Sequence, residues 1–222
     1  SFEGRKEGYV SYGYGFATVA HSRRVVYFDD TSKRPENAHL NSAQFVGGHA
    51  QMYGSTRDDM FSHYEAGTDP FANFLFTFDK DEKLTGAIIN VPCPSQNSEM
   101  DNCLTADYWA DVRTEIAKRY GDIHILSQCA AAGDLAPRIL HYKAAEERRF
   151  RLKYADYEMP SLVRETYERY HRLDIGERIA DAFDEVYAWA QKEKFDDLPI
   201  GHTVKTVELS KRLITDEEYQ FC

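Results

Sequence analysis

Residues 71–93, FANFLFTFDKDEKLTGAIINVPC, constrain the fold more than any other stretch of the chain. Two apolar runs, 71–78 and 84–92, flank the charged tip DKDEK. Runs of this length and composition around a short polar tip read as a β-hairpin. A helix follows in TADYWADVRTEIAKRY, where Tyr108, Trp109, Val112, Ile116 and Ala117 recur at helical spacing, with Thr105 as cap and Gly121 as C′ residue. DIHILSQC, 122–129, is then a short apolar strand. Strand, loop, helix, strand predicts an α/β fold, a layered mixed sheet with flanking helices.

The flanking regions extend this plan. Alternating Tyr, Gly and β-branched residues predict strands over 8–13 and 16–28. The polar stretch 29–49, with Pro35 and Gly47-Gly48, reads as a long surface loop. Beyond residue 139 the chain becomes helix-rich, with helices expected over 140–154, 161–173 and 175–194. The last of these carries Ile179, Ala182, Phe183, Val186, Tyr187 and Ala190 on one stripe. HTVKTVELSKRL, 202–213, reads as a strand, and ITDEEYQFC as a helix start capped by Thr215 with Glu218 as its partner. The organisation expected is a single α/β domain, or a fragment of a larger one, with a sheet-rich region 1–138 and a mostly helical region 139–222. The abrupt close suggests a piece of a longer polypeptide.

Composition narrows the function classes. With 42 % apolar and 29 % charged residues, the 222-residue chain has the balance of a globular domain with a real core. A net charge of −10 argues against nonspecific nucleic-acid binding and against charge-driven adhesion to anionic lipid. No apolar run approaches the roughly 18 residues of a membrane span. Cys93, Cys103, Cys129 and Cys222 show no CxxC spacing. Nucleotide fingerprints and the GxSxG elbow are absent from the sequence.

Three stretches carry candidate chemistry. In NVPCPSQN, Cys93 stands at a strand end, where a cysteine can present a thiolate or a metal ligand, or can be a small buried turn residue. In AHSRRVV, His21 and Arg23 share one strand face and Arg24 takes the other. In CAAAGDLAPR, Gly133 permits positive φ and Asp134 either serves the site or holds an Asx-turn. His49, His63, Glu65 and Asp69 form a weaker, unpatterned set of possible metal ligands.

The order of these motifs resembles the catalytic domain of the neutral/alkaline non-lysosomal ceramidase family, closest to its divergent bacterial relatives, over roughly residues 10 to 140. HSRRVVYF stands where the family has an N-R-S-type strand, and Arg23 matches its arginine. NVPCPSQN stands where the family has a zinc-binding histidine, with Cys93 at that histidine. LTADYWADVR matches an S-x-D-N-x-G segment through Asp107. GDLAPR matches G-D-x-S-P-N through Gly133, Asp134 and Pro137, with Ala136 replacing the proposed nucleophilic serine and Arg138 the asparagine.

The resemblance implies a hydrolase of an amide or ester bond, with a sphingoid base and a fatty acid as the family's products and a lipid or other small-molecule substrate. It implies secretion or a periplasmic location. Arg23 would stabilise the developing oxyanion, Asp134 would orient water, and Cys93 would be a nucleophile or a zinc ligand. His21, Gln96, Asp107 and Arg138 would contact substrate. The family's other zinc ligands lie upstream and downstream of the matching region, so zinc is expected here only through Cys93. An alanine cannot attack a carbonyl, which leaves metal-bound water, Cys93, or no amidase activity. In the last case the fold would serve as a lipid- or glycan-binding module, with fifteen tyrosines and thirteen phenylalanines for stacking.

Overall fold

The computed structural model describes residues 2–34, 48–154, 164–199, 201–211 and 213–221. Its strands are β1 (Tyr9–Phe16), β2 (His21–Ser22), β3 (Arg24–Tyr27), β4 (Ala50–Met52), β5 (Phe61–Tyr64), β6 (Phe71–Phe78), β7 (Leu84–Val91), β8 (His124–Cys129) and β9 (Leu135–Ala136). Its helices are α1 (Tyr108–Tyr120), α2 (Lys143–Lys153), α3 (Arg164–Ala190) and α4 (Asp216–Phe221). This is the α/β class expected, with a mixed sheet and helices against it.

The hairpin forms as read. Asp79 Oδ1 accepts from the backbone N–H groups of Asp81 (3.0 Å) and Lys83 (2.9 Å), which closes the charged tip. β6 and β7 then pair antiparallel, with Phe76 opposite Ala87. From β7 the chain crosses through α1 and returns as β8, which pairs parallel to β7. β1 adds antiparallel on the other side of β6, giving the order β1-β6-β7-β8. Two smaller sheets, β2-β9 and β4-β3-β5, stand apart from it.

One face of the main sheet holds the core. Phe74, Phe76 and Phe78 of β6, with Ile89 and Val91 of β7, are buried against Val112 and Ile116 of α1 and Ile179, Phe183 and Val186 of α3. Each such side chain contributes about 1.5–3 kcal/mol by leaving water. Gly176, inside α3, fixes how closely the helices approach. A Cβ there would stand 2.8 Å from Asp111 Cβ and 3.0 Å from the Asp111 carbonyl carbon. Glycine costs about 1 kcal/mol in a helix interior, so its presence is explained by this crossing with α1.

Several expectations are corrected. Asp107, not Thr105, is the N-cap of α1, because its carboxylate accepts from Tyr108 N while Thr105 Oγ1 accepts from Asp107 N. Gly121 ends α1 at φ 77°, as read. The strand expected over 16–28 is broken, since β2 and β3 pair with different partners. The helices expected over 161–173 and 175–194 are one continuous helix over the described part, α3, running through Gly176. The described residues of 202–213 form no strand; Val204, Val207 and Leu209 are exposed there, without the cover that an alternating pattern needs. Much of the 29–49 loop, including Pro35 and Gly47, lies outside the described residues, as does Cys222. No described helix is long and apolar enough to cross a membrane.

Candidate functional site

Two of the three candidate stretches meet as a strand pair. His21 stands opposite Ala136, and Ser22 opposite Leu135. Arg23 N donates to Asp134 O (3.0 Å), and Arg23 Nη2 donates to Gly133 O (2.6 Å). The HSRR strand is therefore seated directly on the GDLAPR loop. Arg24 takes the opposite direction and pairs with Glu65, as the period-two reading requires.

The third stretch joins from the end of β7. Cys93 Sγ donates to Val19 O (3.2 Å), two residues before His21, and Tyr108 Oη donates to Cys93 O (2.6 Å). The Cys93 side chain is wholly buried, and burial pushes its thiol up to about 12. It is a protonated donor that pins the loop after β7 to the strand before β2. The free thiolate that a nucleophile requires is not what this environment favours. Among the described residues, no group of three or more His, Cys, Asp or Glu side chains is arranged to hold a metal ion. Cys93 has no companion zinc ligands arranged around it among the described residues.

The remaining expected residues divide into structural and site positions. Asp107 is buried at the helix start, where its Oδ2 accepts from Ser98 N (2.7 Å) and Oδ1 from Tyr108 N (2.8 Å). Its φ of 53° is a strained value that these bonds hold in place. It therefore shapes the 94–101 loop, and both carboxylate oxygens face backbone amides, not a substrate. Asp134 meets Arg23 through its backbone, and no described group hydrogen-bonds its carboxylate. Gly133 does not use positive φ. Ala136 is buried. Arg138 lies 3.5 Å from Glu99 and 3.9 Å from Glu168. The weaker metal set is dispersed. His63 meets Ser62, His49 meets Tyr27 O, Glu65 meets Arg24, and Asp69 caps Phe71 N.

A second layer, not foreseen from the sequence, closes over this junction. A cleft of about 220 Å³ is lined by His21 with Glu146, Arg149, His171, Asp174 and Arg178 of α2 and α3. Asp174 Oδ1 accepts from Arg149 Nη2 (2.9 Å) and Lys153 Nζ (2.7 Å), and Asp174 Oδ2 from Arg178 Nε (2.7 Å). Burial alone would raise the Asp174 carboxyl, but Lys153, Arg149 and Arg178 outweigh it and hold it at about 2. Burial, with Arg178 adding to it, lowers His21. Burial and the neighbouring His21 lower His171 to about 4. Glu146 is raised by burial against the opposing Tyr167 hydroxyl. At neutral pH the cleft presents two uncharged imidazoles beside fixed ion pairs.

Some buried polar atoms have no hydrogen-bond partner among the described residues. They include Arg23 Nε, Gln96 Oε1, both amide atoms of Asn97, Arg138 Nη2 and His171 Nδ1. Arg23, Gln96 and Arg138 were singled out from the sequence; Asn97 and His171 were not. Asn97 sits within the NVPCPSQN motif and gave a usable signal, whereas His171 lies in a charged helical stretch with none. A larger groove of about 620 Å³ runs past Tyr12, Tyr14, Trp189 and Phe195. It is mainly aromatic and amide-lined, and the convergent titratable groups lie in the smaller cleft.

No family model matches the chain, and no curated protein matches it. Solved structures similar to it include a neutral ceramidase from Pseudomonas aeruginosa, at 19 % identity and TM-score 0.49, and a ceramidase complexed with C2, at 18 % identity and TM-score 0.46. Each comparison covers 84 % of this chain and 23 % of the other, so the chain spans less than a quarter of the length of those proteins.

Proposed function

We propose that this chain carries part of a ceramidase-like hydrolase site for an amide or ester bond, with a lipid or small-molecule acyl compound as substrate and water as the nucleophile. The observation that carries the reading is the pairing of His21 with Ala136, reinforced by Arg23 on Gly133 O. It joins two motifs that resemble those of the ceramidase family and opens them onto a cleft of perturbed titratable groups, a combination that favours chemistry over packing. Ala136 has no nucleophile, and the Cys93 thiol is held protonated, so attack by water is the reaction left to these side chains. His21 contacts the reacting group from the cleft wall, and Arg23 supplies positive charge beside it. A secreted or periplasmic setting belongs to the same reading.

The test is a panel of fluorogenic N-acyl amides and acyl esters of graded chain length, incubated with the whole protein. Release of carboxylic acid, reduced about 100-fold or more in Arg23→Ala, is the expected result. Binding of a lipid or glycan with no turnover of any acyl compound would replace the hydrolase by a non-catalytic binding module.

A further inference from the structure

We propose that two copies of this chain pair by strand exchange, each laying its segment 202–211 antiparallel on the free edge of the other's β1. The inference concerns assembly and stands apart from the acyl chemistry.

β1 is the outer strand of the main sheet. Its ladder with β6 runs from Tyr9 to Phe16 without a register shift. In an antiparallel ladder, alternate residues turn both their N–H and their C=O to the same neighbour. Val10 turns outward, since Val10 N donates to Phe195 O (2.9 Å) and Phe195 N to Val10 O (2.8 Å). Tyr12, Tyr14 and Phe16 therefore turn outward as well, and no described backbone group meets theirs. All three are more than half exposed. Natural edges are usually guarded by a lysine, a proline or a bulge. YVSYGYGF has none of these, so the edge is open to strand addition.

The same chain carries an unpaired strand former. HTVKTVELSK, 202–211, is rich in β-branched residues, yet every one of its residues is exposed and none sits in a ladder. It stays clear of its own β1, because Phe195 pairs antiparallel with Val10 and so leads the chain away from Tyr12. A reciprocal exchange satisfies both surfaces at once and closes on a two-fold axis.

Charge selects this occupant. Grooves of about 620 and 710 Å³ run along the edge between β1 and α3 and share Tyr14 and Trp189. Their walls carry Asp181, Glu185 and Glu193. Among the described residues, Glu185 and Glu193 have no cation on them, Asp181 is shared with Arg119, and the Arg178 guanidinium is turned to Asp174. Twelve residues of helical rise separate Asp181 from Glu193, roughly 18 Å. Lys205 and Lys211 fall on one face of an extended strand, roughly 20 Å apart. With that face toward α3, Lys205 lies at the Asp181 end, Lys211 at the Glu193 end, and Val207 and Leu209 between them. Val204, Thr206 and Glu208 turn to the side of the Tyr14 and Phe16 rings. Pairing β1 directly with β1 of a second copy would instead set two acidic α3 walls side by side, and like charges so placed oppose association.

Sedimentation equilibrium of the whole protein up to about 100 μM tests the exchange. The expected species is a dimer, with backbone amides of 204–209 protected from hydrogen exchange and losing that protection on dilution. Lys205→Glu combined with Lys211→Glu changes only exposed side chains, so the fold is kept; it is expected to raise the dimer Kd about tenfold or more at low salt. Tyr14→Pro removes an outward N–H and no bond to β6, and is expected to give a monomer with its unfolding midpoint retained. A monomer throughout overturns the proposal, including one whose 202–211 segment has folded back on its own β1. A dimer indifferent to the paired lysine change overturns it as well.

Discussion

Replacing His171 by Phe will flatten the acid side of the stability profile. The native imidazole, buried beside His21, titrates at about 4, against an ordinary value of 6.5. Between those two values the unfolded chain holds a proton that the folded protein does not. Stability therefore falls as pH drops from about 6.5 to about 4, and this contribution is complete above 6.5. The shift corresponds to about 3 kcal/mol, since one pKa unit is about 1.4 kcal/mol. The side chain is almost wholly buried, so solvent screening removes little of it. His21 is lowered and adds in the same direction, while Glu146 is raised and works against it; both remain in the variant. Phe keeps a ring against Phe150 and Tyr167. Urea unfolding followed by tryptophan fluorescence at pH 7.5, 6.0, 5.0 and 4.5 gives both profiles. The expected wild-type profile is steeper than the variant's by about 2–3 kcal/mol across that range. Profiles parallel to within about 0.5 kcal/mol would refute a neutral, desolvated His171.

Other consequences follow from single residues. Asn97→Leu removes a fully buried amide without partners among the described residues, so thermal unfolding will show stability unchanged or raised; a loss above about 2 kcal/mol would mean that the amide is well paired. Gly176→Ala puts a methyl group into Asp111, and denaturant titration will show a net loss of about 1–3 kcal/mol despite alanine's better helix propensity. With iodoacetamide at pH 8, the exposed Cys103 and Cys129 will be alkylated and Cys93 will not, as peptide mass analysis reads directly; rapid labelling of Cys93 would show an open, ionised thiol.

Elements with strong local signals were legible in the sequence. The hairpin, α1 and β8 follow from period and turn chemistry, and their order gives the βαβ connection. The strand expected over 202–213 fails because alternation of Val and Leu specifies a strand only where a ladder and a cover exist, and here these side chains face solvent. Thr105 and Asp107 are both good caps, and the choice between them depends on Ser98, nine residues from Asp107 and invisible to a local rule. The site was half legible. The structure brings His21 and Arg23 onto the GDLAPR loop, two stretches the motif order singled out, whereas reactivity was assigned to Cys93 from residue type alone. Burial against Val19 and Tyr108 reverses that assignment. His171, Glu146 and Asp174 reach the cleft only because α2 and α3 fold back over β2, and no spacing in the sequence encodes that approach.

The central claim is that the His21–Ala136 junction cleaves an acyl bond without a protein nucleophile. The most direct measurement is acid release from the preferred amide or ester substrate by the whole protein and by His21→Ala, with intact-protein mass recorded during turnover. Turnover is expected to fall at least about 100-fold in the variant, with no acyl adduct on the protein at any time. An acyl adduct on Cys93, or turnover indifferent to His21, would contradict it.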